Sequence, residues 1–109
     1  MSTFYIKEGD TEPRLAAQLK NPDGSSVDLS TSTVSIRVAE SRGGSNIIND
    51  KTEIIDATDG KIAYRFTNGD ADTVGRYRVE FEVEYDSGFI ETYPNSGYHT
   101  LLIGRNMEI

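Results

Sequence analysis

Three glutamates at every second position, Glu80, Glu82 and Glu84, come nearest in this chain to the residue types and spacing of a reaction centre. Residues i and i+2 of one strand stand about 7 Å apart on the same face, close to the separation at which paired carboxylates cleave glycosides. That chemistry needs one carboxyl kept protonated by an apolar or crowded setting. Three glutamates in a row on a flat face, without aromatic neighbours and with Arg65 as a cross-strand partner, have instead the pattern of a solvated, charge-paired surface.

The other reactive side chains are equally scattered. His99 is the single histidine and has no Ser or Asp at a spacing that suggests a Ser-His-Asp triad. With no cysteine, disulfides, thiolate metal sites and Cys nucleophiles are excluded by count, and a zinc site would have to be mainly carboxylate. Asn68, Asp70 and Asp72 put oxygen ligands at alternate positions of one loop, as a helix-loop-helix calcium site does. Thr73 then stands where that loop needs glycine and Val79 where it needs a bidentate glutamate, so the segment reads as a turn. Asp56 and Asp59 before Gly60 read the same way, and Gly43-Gly44 lacks the Gly-Lys-Ser/Thr context of a phosphate cradle. The expectation is no catalytic residue, no metal site and no cofactor.

The elements that carry these residues are strands. In GRYRVEFEVEY, residues 75 to 85, Tyr77, Val79, Phe81, Val83 and Tyr85 share one face and Arg76, Arg78, Glu80, Glu82 and Glu84 the other, an alternation that a helix would scatter. It describes an antiparallel sheet packed on a core on one side and solvated on the other, with Asp86-Ser87-Gly88 as the turn that ends the strand. Shorter runs of the same kind recur at 4–7, 14–20, 33–39, 52–56, 61–67, 89–93 and 99–103. Asn21-Pro22-Asp23-Gly24, Asp59-Gly60 and Asn68-Gly69-Asp70 punctuate them. About eight short strands at this spacing predict a sandwich or barrel. Residues 40–51, ESRGGSNIINDK, read as the longest connection, an exposed loop carrying Ile47 and Ile48.

A length of 109 residues predicts one domain, 1–109, able to bury roughly two thirds of its unfolded surface without staples. The apolar runs are a few residues long, so neither a membrane-spanning helix nor a signal-peptide core follows Met1, and cytoplasmic synthesis is expected. The net charge of −7 repels phosphate backbones and anionic lipids, so neither nucleic acid nor a membrane is expected as a partner. Seven of the eleven cations are Arg, which together with the acidity fits either a salt-rich habitat, where self-repulsion is screened, or an ordinary acidic protein.

Two patterns resemble known proteins. In DTVGRY, residues 72 to 77, a Gly-x-Tyr opens a long alternating strand. This is similar to the tyrosine corner of immunoglobulin-like sandwiches, although Asp72 stands one position earlier than in antibody domains and Val79 replaces their cysteine. Over most of the chain Gly9-Asp10-Thr11, Asp23-Gly24 followed by Val27-Asp28-Leu29, Gly75 with Tyr77, and Thr92 with Pro94 occur in order. That order resembles the amino-terminal immunoglobulin-like domain of tailed-phage baseplate upper proteins. The resemblance implies an all-β, immunoglobulin-like antiparallel β-sandwich of about seven to eight strands. It also implies a virion structural protein that docks in copies onto other virion proteins, as a homo-oligomer or symmetric ring. Family members continue into receptor-binding or oligomerising regions, whereas this sequence ends at Ile109, which suggests an adaptor, decoration or tail-completion role.

On this reading Gly75, Tyr77, Val79, Phe81, Val83 and Pro94 are structural. Partner contacts are expected from the apolar residues of the first segment, Phe4, Tyr5 and Ile6, from the last, Met107 and Ile109, and from Ile47 and Ile48 in the long loop. A carbohydrate-binding or adhesive sandwich using Tyr93 and Tyr98 is the alternative, and a hydrolase using Glu80 or Glu84 the third.

Overall fold

The computed structural model describes residues 2–107. Within them the chain forms β1 (Thr3–Lys7), β2 (Leu15–Gln18), β3 (Thr33–Glu40), β4 (Asn46–Lys51), β5 (Glu53–Asp56), β6 (Lys61–Tyr64), β7 (Gly75–Glu84), β8 (Ile90–Tyr93) and β9 (His99–Gly104), with no helix among the described residues. Two sheets result. One runs β1-β9-β7-β3-β4 with β8 also paired to β7, and the other runs β2-β6-β5. The fold is an all-β sandwich.

β7 is its central element. Tyr77, Val79, Phe81 and Val83 are all buried and face Val34, Ile36, Val38 and Leu101 of neighbouring strands and Leu15, Ile62 and Tyr64 of the second sheet within one apolar cluster. Burying a Val- or Phe-sized side chain contributes about 1.5–3 kcal/mol, so the alternation of this one strand supplies much of the force that closes the two layers. β3 pairs antiparallel along its whole length with β7, Thr33 opposite Glu84 and Glu40 opposite Tyr77. The expected turn after β7 forms: Tyr85 N donates to the Phe89 carbonyl and Gly88 N to the Tyr85 carbonyl, each at 2.9 Å, and returns the chain as β8.

β8 and β9 occupy one lane alongside β7. Phe81 is opposite Tyr93 and Val79 opposite His99, so two residues of β7 are matched by six of its neighbour, and the segment 94–98 bulges out. Pro94 stands at the start of that bulge. At the other end of β7 the Tyr77 hydroxyl donates to the Thr73 carbonyl at 2.7 Å, tying the strand to the connection before it. Gly75 keeps an ordinary backbone, and a Cβ there would only touch the Tyr77 ring at 3.5 Å. Gly60 is different: φ is +82° at Gly9 and +68° at Gly60, but only at Gly60 would a Cβ also lie 2.6 Å from the Leu19 carbonyl oxygen and 2.9 Å from that of Val27. The close approach lets Leu19 N donate to the Gly60 carbonyl at 2.8 Å, which joins the β2 connection to the β5–β6 turn.

Several expectations are corrected. The first sheet is not purely antiparallel, because β1 lies parallel to β9, from Thr3 opposite Thr100 to Lys7 opposite Gly104. Side-chain alternation records which face is buried and is silent on strand direction. Residues 46–51 are not loop but β4, paired to β3 with Ile48 opposite Val38. An edge strand with one buried apolar side chain has a sequence nearly indistinguishable from a polar connection. The strand expected within residues 14–20 is present as β2.

The corner and the close approach each yield a measurable loss. Tyr77→Phe keeps the ring and removes the hydroxyl, and is expected to lower unfolding stability by about 1 kcal/mol. Gly60→Ala combines left-handed strain with a backbone clash and is expected to lose about 3 kcal/mol or more. Urea unfolding that ranked the two in the opposite order would contradict this description.

Candidate functional site

The carboxylates that resemble a reaction pair lie on the outer face of the larger sheet. Glu82 forms an ion pair with Arg37 at 2.8 Å, Glu80 is opposite Arg37 in register, and Glu84 is exposed at the strand end. Arg65, the expected partner, lies elsewhere and pairs with Glu12 at 2.8 Å. Glu80 and Glu82 line an open depression of about 270 Å³ with Arg37, Thr92, Asn95 and Gly97. Glu82 is thus engaged by a guanidinium on an open, solvated face rather than enclosed in an apolar pocket.

His99 is enclosed by Phe4, whose ring meets it edge-on at 5.9 Å, and by Phe81 at 6.0 Å. Its Nδ1 accepts from Ser2 N at 2.9 Å, and burial pushes its pKa down, so it serves as a neutral packing group. Asp70 is consumed by its own turn: its carboxylate accepts from the Thr67 N–H at 2.8 Å, the Thr67 hydroxyl at 3.0 Å and the Tyr64 hydroxyl. Asp59 accepts from the Ser26 hydroxyl at 2.9 Å and pairs with Lys61 at 3.4 Å. Among the described residues no group of three or more His, Cys, Asp or Glu is arranged to hold a metal ion.

One polar cluster was missed in the sequence. Glu91 Oε1 accepts from the Tyr85 hydroxyl at 2.8 Å and the Tyr93 hydroxyl at 2.7 Å, and Asn95 Nδ2 donates to its Oε2 at 3.1 Å. The signal was present in the hairpin: a turn that sets residue 85 against 89 puts Glu91 opposite Val83 and Tyr93 opposite Phe81, on the core side. The cluster locks β8 to the end of β7. The Tyr93 and Tyr85 hydroxyls, in that order, hold the Glu91 carboxyl below its ordinary value, while burial raises both phenols. Tyr93 is only 3% exposed, so it cannot stack on a sugar as the carbohydrate-binding alternative requires.

The expected partner contacts divide. Tyr5, Ile47 and Met107 are exposed, Phe4 is half-buried against the core, and Ile109 lies outside the described residues. Ile6 at 5% and Ile48 at 3% exposure are corrected, since both are inward-facing residues of edge strands and fill the core. Tyr5 and Ile47 are not brought together, because β1 and β4 are opposite edges of the sheet. Nor is the last segment free, since Lys7 Nζ donates to the Arg105 carbonyl at 3.4 Å, and Asn106 N to Glu8 Oε1 at 3.1 Å. Along the β1 edge an apolar groove of about 420 Å³ is lined by Tyr5, Ile6, Pro13 and Leu102, with Lys7 and Asp10 at its rim. Phe89 and Ile90 are exposed at the far end of β8.

The two-layer β-sandwich thus carries apolar residues at its edges, with Asp59 and Asp70 engaged in turns, Glu91 in a tyrosine cluster and His99 in packing. Residues 2–93 match the family described as the BppU N-terminal domain, and the chain belongs to that family of phage baseplate structural proteins. No curated protein matches the sequence. Among solved structures the chain is similar to CopC from Methylosinus trichosporium OB3b, with 15% identity over 100% of this chain and 90% of that one and a TM-score of 0.58. At that identity the likeness is one of fold alone.

The Glu91 cluster implies a pH dependence. A carboxyl whose pKa is depressed on folding contributes stability that is fully present above its unfolded value, about 4.5, and is lost as pH falls through the lower folded value. The turn carboxylates of Asp23, Asp28 and Asp59, lowered mainly by serine hydroxyls, act in the same direction. Glu91→Gln is therefore expected to be less stable than the parent at pH 7 and to lose less stability between pH 5 and pH 3. Parallel stability curves for the two proteins would contradict it.

Proposed function

We propose that residues 1–109 form a single immunoglobulin-like sandwich domain that serves as a structural subunit of a tailed-virus particle, at the baseplate or tail, and works by protein–protein assembly. The family match over residues 2–93 carries this reading. The immunoglobulin-like character is supported by the division of strands, β3, β7 and β9 in one sheet against β2, β5 and β6 in the other, and by the Tyr77–Thr73 bond at the corner. Its partners are other virion proteins and further copies of itself in a homo-oligomer or ring. With a net charge of −7, neither nucleic acid nor an anionic membrane is among them. The site of action is the virion, and no catalytic step or cofactor is involved.

The docking edge is β1. Its outer side has no partner strand among the described residues, and the apolar groove beside it exposes Tyr5 next to Leu102. An edge of this kind accepts an added strand or an apolar anchor from a neighbour. Because residues 104–106 are bonded to β1 and Glu8, a truncation that probes the last segment without disturbing the sheet begins after Asn106.

The test is incorporation. Tagged parent and Tyr5→Asp chains are supplied separately during growth of the source virus, and particles are purified and quantified for each. The parent is expected in particles and Tyr5→Asp is expected to be reduced at least tenfold, with an unchanged melting temperature. Absence of the parent would overturn the virion reading, and equal incorporation of Tyr5→Asp would overturn the β1 edge as the contact.

A further inference from the structure

The outer face of β7 is charged in two blocks. Arg76 and Arg78 occupy its first half, and Glu80, Glu82 and Glu84 the rest, all on the solvated side. Register extends the pattern to the adjoining lane. Leu102 and Thr100 of β9 are opposite Arg76 and Arg78, while Thr92 and Ile90 of β8 are opposite Glu82 and Glu84. Reading outward from Glu80, the first step in either direction is a charge beside a threonine. The second repeats the charge of the first beside an aliphatic side chain, Arg76 with Leu102 at one end and Glu84 with Ile90 at the other. Charge inverts about Glu80 and side-chain size is preserved about it.

A surface with that symmetry is complementary to itself. We infer that this face docks on the same face of a second copy, about a two-fold axis that lies in the interface, crosses β7 at Glu80 and runs perpendicular to the strands. An axis so placed reverses strand direction and leaves each lane over its own counterpart. Arg76 of each copy then meets Glu84 of the other, Arg78 meets Glu82, and Leu102 meets Ile90. At the centre two Glu80 side chains face each other, a like-charge contact that each copy's Arg37, opposite Glu80 in register but ion-paired with Glu82, only partly offsets. The arrangement is isologous: each contact occurs twice. Parallel stacking about an axis along the strands would set Arg on Arg and Glu on Glu, so the charge order also selects against the other orientation.

Sheets packed face to face stand about 10 Å apart, a gap that Arg and Glu side chains span from opposite sides. Arg76, Glu84 and Ile90 are exposed and available for it. Arg78 also donates to the Glu40 carbonyl at 3.1 Å, and Glu82 holds Arg37, which pre-orients both groups on the face. The contact is polar and its ion pairs are accessible, so it is sensitive to salt: screening lengths fall from about 10 Å at 0.1 M to about 3 Å at 1 M. This inference deepens the assembly reading and rests on it for its biological setting. Its test uses the purified chain alone, so its failure is distinct from absence of the protein from particles.

Arg76→Glu and Glu84→Arg each set like charges opposite one another twice in the homodimer, whereas an equimolar mixture of the two forms a heterodimer with both pairs restored in reversed or original sense. Both positions are exposed, and retention of the parent melting temperature establishes that each variant folds. Sedimentation equilibrium in 0.05 M salt is expected to show a parent dimer and at least a tenfold higher dissociation constant for either variant. The mixture is expected to recover the parent value, and 1 M salt to weaken the parent dimer. A parent that stays monomeric at every accessible concentration, variants that dimerise as tightly as the parent, or a mixture no tighter than its components would each overturn the proposal.

Discussion

Withdrawal of every second residue of β7 from water is the constraint on which the molecule depends. Tyr77, Val79, Phe81 and Val83 are buried together, and the strand that carries them is hydrogen-bonded to β3 on one side and to β8 and β9 on the other. Its inward face closes the sandwich and its outward face carries five charged side chains. Anything that slipped the register of β7 by one residue would place five charged side chains in the core. The anchors at its two ends, the Tyr77–Thr73 bond and the Tyr85–Glu91–Tyr93 cluster, act against that slip.

The same economy governs the polar groups of the chain. Its acidic groups are spread over turns and strand faces, where Asp23, Asp28, Asp59 and Asp70 each accept hydrogen bonds from neighbours a few residues away or across a turn. The single imidazole is packed against Phe4 and Phe81. What remains available is shape: an apolar β1 edge and a sheet face with ordered charge. These are the resources of a subunit that recognises protein surfaces, in keeping with membership of a phage baseplate family.

The long strand, the turn at 86–88, the core residues of β7 and the tyrosine corner were legible because period-two alternation and turn chemistry are local properties. Strand direction was not, since alternation in Thr3–Lys7 is the same whether the strand lies parallel or antiparallel to β9. β4 was hidden because its burial reduces to Ile48, and Ile6 was misjudged as exposed because an edge strand's inward residue has no local sequence partner to reveal the layer above it. Glu91 required two steps, the hairpin register and then the facing of Tyr85 and Tyr93, before its position beside two phenols could be seen. The Arg-to-Glu inversion along β7 was visible in the sequence. Its meaning depended on knowing that Leu102 and Ile90 share a lane, which only the 94–98 bulge makes possible.

Quantitative peptide mass spectrometry of purified particles from the source virus, scaled to the major capsid protein, tests the central claim most directly. A structural subunit is present at a fixed ratio from one preparation to the next, and the size of that ratio separates a baseplate or tail ring from a less regular attachment. Peptides of this chain found in infected cells and missing from intact particles would contradict the account.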